Sequence, residues 1–126
     1  MTKRQEVPLS LDDFLDPSQV ALIMWDFQKG LAGKALHAPK VIAAAQQLLA
    51  AAERAQVPVF WSRHILPPRH LMSGPFKLFM MKKQKVTHPD QLTPAMEAGM
   101  DDTQFVDGLS PAPHHQVIEK IGRAHV

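Results

Sequence analysis

The chain has 126 residues, a usual length for one domain, and its 45% apolar content is enough for a real core. Fourteen basic residues against 12 acidic ones leave a formal charge of +2, so no polyanion partner is called for, and with no Tyr a base-stacking platform is not expected. With no Cys, these residues hold neither a disulfide nor a thiolate metal site. The charged start Met1-Thr-Lys-Arg-Gln-Glu leads into no apolar signal region, and no stretch approaches the roughly 20 apolar residues of a membrane helix. The expectation is a soluble, cytoplasmic protein with no membrane or nucleic-acid partner.

Residues 1–19 read as an irregular lead-in, with one helical turn near Leu11 to Leu15. The run Val20-Ala-Leu-Ile-Met-Trp-Asp26-Phe-Gln28 follows. Its unbroken apolar stretch predicts a strand over 20–25, buried on both faces as in a parallel sheet. Asp26 would then stand at the carboxyl edge of that sheet, where open α/β folds put their chemistry, although Asp at a strand end also serves simply to cap a turn. Two glycines and Pro39 mark residues 29–39 as a loop, and Pro39 suits the first turn of a helix. Val41, Ile42, Ala45, Leu48, Leu49 and Ala52 form one stripe at helical period, predicting a helix from Lys40 to about Ala55. Val57-Pro-Val-Phe-Trp-Ser62 predicts the second strand, ending in Arg63-His64 on the same edge as Asp26. Strand, helix and strand make a right-handed βαβ unit with parallel strands.

Prolines interrupt residues 65–115, a long excursion of the kind that forms lids and specificity loops. Short helices are predicted near Phe76 to Lys83 and Pro94 to Met100. Arg63, Arg69, Lys77, Lys82, Lys83 and Lys85 read as a solvated face rather than a nucleic-acid groove. Gln116-Val-Ile-Glu-Lys120 predicts a third strand with Lys120 near its carboxyl end. On its own, Lys120 reads more simply as a surface residue paired with Glu119 or with solvent.

Three stretches together resemble the isochorismatase-like (cysteine hydrolase) superfamily. They are Ala21-Leu-Ile-Met-Trp-Asp26-Phe-Gln28, Val57-Pro-Val-Phe-Trp-Ser-Arg63, and Phe105-Val-Asp-Gly-Leu-Ser-Pro111 followed by Gln116-Val-Ile-Glu-Lys120. The resemblance implies an α/β fold, a Rossmann-like three-layer arrangement with a parallel sheet flanked by helices on both faces. It implies a hydrolase of a small-molecule amide or related C–N bond, with Asp26 as general acid/base and Lys120 as its cationic partner. A cysteine on a later strand completes the site in amide-cleaving members, because a thiol needs a base and a nearby cation to act as thiolate. Gln28, Arg63 and His64 are the expected substrate contacts, no cofactor is implied, and homo-oligomers are common in the superfamily.

The chain departs from this pattern in having no Cys. The reading is that it is a C-terminally incomplete piece, with residues 20–120 a partial hydrolase domain. Ile121-Gly-Arg-Ala-His-Val126 resembles adapter read-through and is expected to be a non-native tail without function. Such a piece is expected to be inactive and prone to aggregate. Two alternatives stand: a cysteine-less, vinyl-ether-cleaving relative, and a catalytically silent binding or assembly module. Nicotinamidase-like members bind metal through an Asp-x-His motif. Arg63-His64-Ile-Leu-Pro67 lacks that Asp, so no metal is expected, and His114-His115 in its Pro-rich turn is expected to be exposed.

Overall fold

The computed structural model describes Val7 and residues 9–121. The expectations for the rest of the N-terminal lead-in and for residues 122–126 of the tail lie outside them. The elements run α1 (Leu11–Phe14), β1 (Leu22–Trp25), α2 (Ala38–Arg54), β2 (Val59–Ile65), α3 (Gly74–Gln84) and β3 (Gln116–Ile121), joined by short 3-10 turns. The strands lie in the order β1-β2-β3 and both pairings are parallel. This is the α/β class with a parallel sheet that the sequence implies.

Sequence patterning explains most of the elements. Ser10 caps α1 by accepting from the Asp13 amide, and Asp13 reaches back to the Ser10 amide. Pro39 sits in the first turn of α2. Ser73 caps α3 by accepting from the Phe76 amide, with Pro75 in its first turn. Ala38, Ala45 and Ala52, spaced by two turns, are the buried positions of α2. Their small side chains let the helix lie close on Met24, Val59 and Trp61 of the sheet, with Val106 and Leu109 closing the core. A smaller cluster, Leu66, Phe76, Met80, Leu92 and Met96, holds the 65–100 excursion beyond the carboxyl edge of the strands.

Several boundaries and faces differ from the sequence reading. β1 begins two residues later than expected, and β2 runs on through Arg63 and His64 to Ile65. No helix forms over 94–100; the nearest helical turn is 3-10, at Asp101–Thr103. Met96 and Gly99 there have positive φ values of 53° and 84°, which a right-handed helix does not admit. Val41 and Leu48 of the α2 stripe are exposed, on one flank of the line of buried alanines Ala38, Ala45 and Ala52.

The largest difference concerns β1, which is not buried on both faces. Met24 is 1% exposed on the face under α2, but Ile23 is 55% and Trp25 65% exposed. Ile118 of β3 is likewise exposed. No helix covers this second face among the described residues.

Candidate active site

At the carboxyl edge of β1 the backbone turns sharply at Asp26, which has φ 54°. Asp tolerates this left-handed conformation better than most residues, and such strain is characteristic of functional sites. The turn places the carboxylate over the neighbouring strand ends. Its Oδ2 accepts from Lys120 Nζ at 2.7 Å, joining residues 94 positions apart in the chain. Its Oδ1 accepts from the Ser62 hydroxyl at 2.6 Å, and the Asp26 amide donates back to Ser62 Oγ at 3.0 Å. Both carboxylate oxygens are therefore held. The Asp26 side chain is 14% exposed and that of Lys120 36%, so the pair is shielded but reachable. Lys120 Nζ also lies 4.7 Å from the centre of the Trp25 ring, a cation–π contact that fixes the ammonium from the open face.

β2 supplies the centre of the site. Ser62 pairs in register with Trp25 and with Ile118, and His64 with Lys120. His64 therefore shares the Lys120 face. Burial holds its imidazole below its ordinary value, Lys120 pushes it further down, and Asp26 opposes both. The ring is thus neutral at pH 7.

Gln28, expected as a substrate contact, is fully buried and committed elsewhere. Its Oε1 accepts from the His64 amide at 2.7 Å, and its Nε2 donates to the His64 carbonyl at 2.8 Å and to the Thr103 carbonyl at 3.0 Å. The side-chain amide thus extends the β1–β2 ladder past Trp25 and braces the strand that carries His64. Gly30 beside it packs where a Cβ would collide with Met96 Sδ and lie 2.9 Å from the Asp102 carbonyl. Arg63 is the second departure. Side chains alternate along a strand, so it lies on the α2 face, 4.7 Å from the Phe105 ring and paired with Glu119 at 3.4 Å. Neither residue reaches the Asp26–Lys120 pair. Of the expected site residues, Asp26, Lys120 and His64 come together.

Ser62 and Trp25 are the members that sequence reading missed. Their signal was present, since a Ser one residue before Arg63 falls beside Asp26 once the two strands are paired in register.

A second polar cluster lies at the opposite, amino edge of the sheet. Glu53, His114 and His115 bring their ligand atoms within 4.8 Å of one another. The His115 side chain is only 3% exposed, against the expectation of an exposed pair, because it packs beside Trp61. Trp61 Nε1–H and the Ala112 amide both donate to His115 Nδ1 at 3.0 Å. Neither group can accept, so in the neutral ring the proton sits on Nε2 and points to Glu53. A metal would need that Nε2 lone pair, and the donor set therefore does not fit a metal. The cluster ties the end of α2 to the start of β3, and its hydrogen bonds hold the Glu53 carboxyl below its usual value, that from His115 most strongly.

A parallel sheet with a braced Asp–Lys pair at its carboxyl edge defines an α/β protein with a candidate site at that edge. Residues 20–124 match the isochorismatase domain, and the chain belongs to the isochorismatase family. Among solved structures, its fold is similar to a cysteine hydrolase from Pseudomonas syringae pv. phaseolicola (22% identity, TM-score 0.60, covering 96% of this chain and 53% of that one). It is also similar to an isochorismatase from Pseudomonas putida (22%, 0.53, covering 91% and 52%). A third is N-carbamoylsarcosine amidase from Thermoplasma acidophilum (20%, 0.53, covering 79% and 50%). The chain thus spans about half the length of these structures. No curated protein sequence matches it significantly. No helix among the described residues is long and apolar enough to cross a membrane.

Proposed function

We propose that this chain carries the Asp–Lys half of a hydrolase site that cleaves a small-molecule amide or related C–N bond. A cysteine thiol from a segment outside these residues would complete it. The observation that carries this reading is the Lys120 Nζ–Asp26 Oδ2 contact of 2.7 Å, made at a strained strand end and backed by Ser62. In this role Asp26 takes the proton from the thiol and later returns it to the leaving amine. The Lys120 ammonium stabilises the thiolate and the negative charge on the tetrahedral oxygen. Ser62 and Trp25 keep the two charges aligned. Without the thiol the pair has no nucleophile to activate, so the 126-residue chain alone is inactive.

The family membership and the resemblance to the Thermoplasma acidophilum amidase fold support this reading. The test is ammonia release from a panel of primary amides and carbamoyl compounds by the full gene product. Asp26→Asn is expected to lower turnover by about 10²- to 10⁴-fold, the usual worth of a general acid/base. Full turnover in that variant would rule out the catalytic role. Cleavage of a vinyl ether without ammonia release, by a gene product that lacks any cysteine, would favour the vinyl-ether chemistry instead.

A further inference from the structure

Beyond the Asp26–Lys120 edge lies a cavity of about 590 Å³, within the roughly 300–1,000 Å³ of small-molecule sites. α3 forms its far wall. Phe76 and Met80 are buried there, and Phe79 stacks on Phe76 with ring centres 6.0 Å apart. Leu66 and Met96 close the floor. The polar groups of the lining are few. His64 stands at the end nearest the catalytic pair, as the register partner of Lys120, while Lys83 stands at the rim on the last turn of α3. No carboxylate lines this cavity, and among the described residues none lies within ion-pair distance of Lys83. Lys83 is close enough to His64 to disfavour a charge on it.

These features differ from a generic apolar pocket in having one sign of charge. An apolar trough with an unpaired ammonium at one end and a neutral imidazole at the other favours an elongated ligand with an anionic tail. A cationic ligand would meet the Lys83 ammonium with no carboxylate in the lining to offset it. A neutral one would leave Lys83 unpaired.

We propose that this cavity is the substrate chamber and that its substrates are carboxylated hydrocarbons. Lys83 would bind the carboxylate, and the scissile group would lie past His64 at Asp26 and Lys120. The assignment rests on the catalytic reading above for which end reacts. It makes Lys83 a specificity-determining residue.

Binding tests this without turnover. The full gene product, labelled with ¹³C at its Met methyls, is titrated with phenylacetate and with its neutral counterpart 2-phenylethanol. Phenylacetate is expected to shift the Met80 and Met96 signals and to bind about fivefold tighter than the alcohol, the scale of one partly exposed ion pair. Lys83→Met should erase that preference and leave alcohol binding unchanged, while Lys83→Arg should keep it. Lys83 is exposed on α3, so these variants leave the fold intact. Equal binding of acid and alcohol, or a preference that survives Lys83→Met, would overturn the proposal. So would shifts confined to methionines outside the cavity. Ammonia release by the Asp26→Asn full gene product reads the catalytic role separately from probe binding, so failure of the catalytic reading and failure of this one are told apart.

Discussion

Replacing Gln28 with Leu separates a structural brace from a substrate contact. The substitution nearly conserves volume but removes all three hydrogen bonds of a fully buried amide. The His64 N–H, the His64 carbonyl and the Thr103 carbonyl would each lose a partner. An unsatisfied buried polar group costs about 1–3 kcal/mol, and some relief comes from water near the partly buried His64. The net loss is therefore ~3 kcal/mol, a large fraction of the roughly 5–15 kcal/mol by which domains are stable. With a urea slope of about 1.5 kcal/mol per molar, the midpoint should fall by ~2 M. Tryptophan fluorescence, to which buried Trp61 and exposed Trp25 both contribute, followed at low micromolar protein through a urea titration, reads the midpoint. A shift below about 0.3 M would refute the brace and return Gln28 to the substrate contacts.

Three further outcomes are expected. Ser62→Ala removes the hydroxyl that donates to Asp26 Oδ1 at 2.6 Å, so turnover of the full gene product should fall about tenfold or more, with Michaelis constants little changed; unaltered turnover would show that Lys120 alone aligns Asp26. His64 is held below the 6.5 of a free imidazole, so the unfolded chain binds its proton more readily than the folded one. Stability should accordingly fall as pH drops below about 6.5, and the His64→Asn variant should lose that part of the slope in pH-dependent melts. Ile23→Thr with Trp25→Ser should make the isolated chain markedly less prone to associate in sedimentation runs, since both side chains lie on the uncovered sheet face; unchanged association would place the sticky surface elsewhere.

The βαβ unit was legible because its signals are local. An apolar run, an alanine-rich periodic stripe and a second apolar run each declare one element. Asp26 and Lys120 were legible only through their common place at strand ends, and the structure brings them into contact. Gln28 and Arg63 were not, for two different reasons. The fate of a side-chain amide depends on which backbone groups lack partners, and the gap past Trp25 exists only after β1 and β2 are paired. Which face Arg63 takes depends on a strand that runs three residues further than its apolar core. The exposed second face of β1 was equally hidden, since an apolar run states what a strand can be buried in and not what packs on it. His115 escaped because a Pro-rich turn signals exposure, while its burial comes from Trp61, 54 positions away.

The central claim is that Asp26 and Lys120 serve a thiol supplied by a later strand. Reading the source gene onward from the Lys120 codon tests it most directly. A continuing frame with a cysteine at the end of a following strand is the result predicted. A frame that continues with Gly or Ala there, or that stops after Val126, would contradict it.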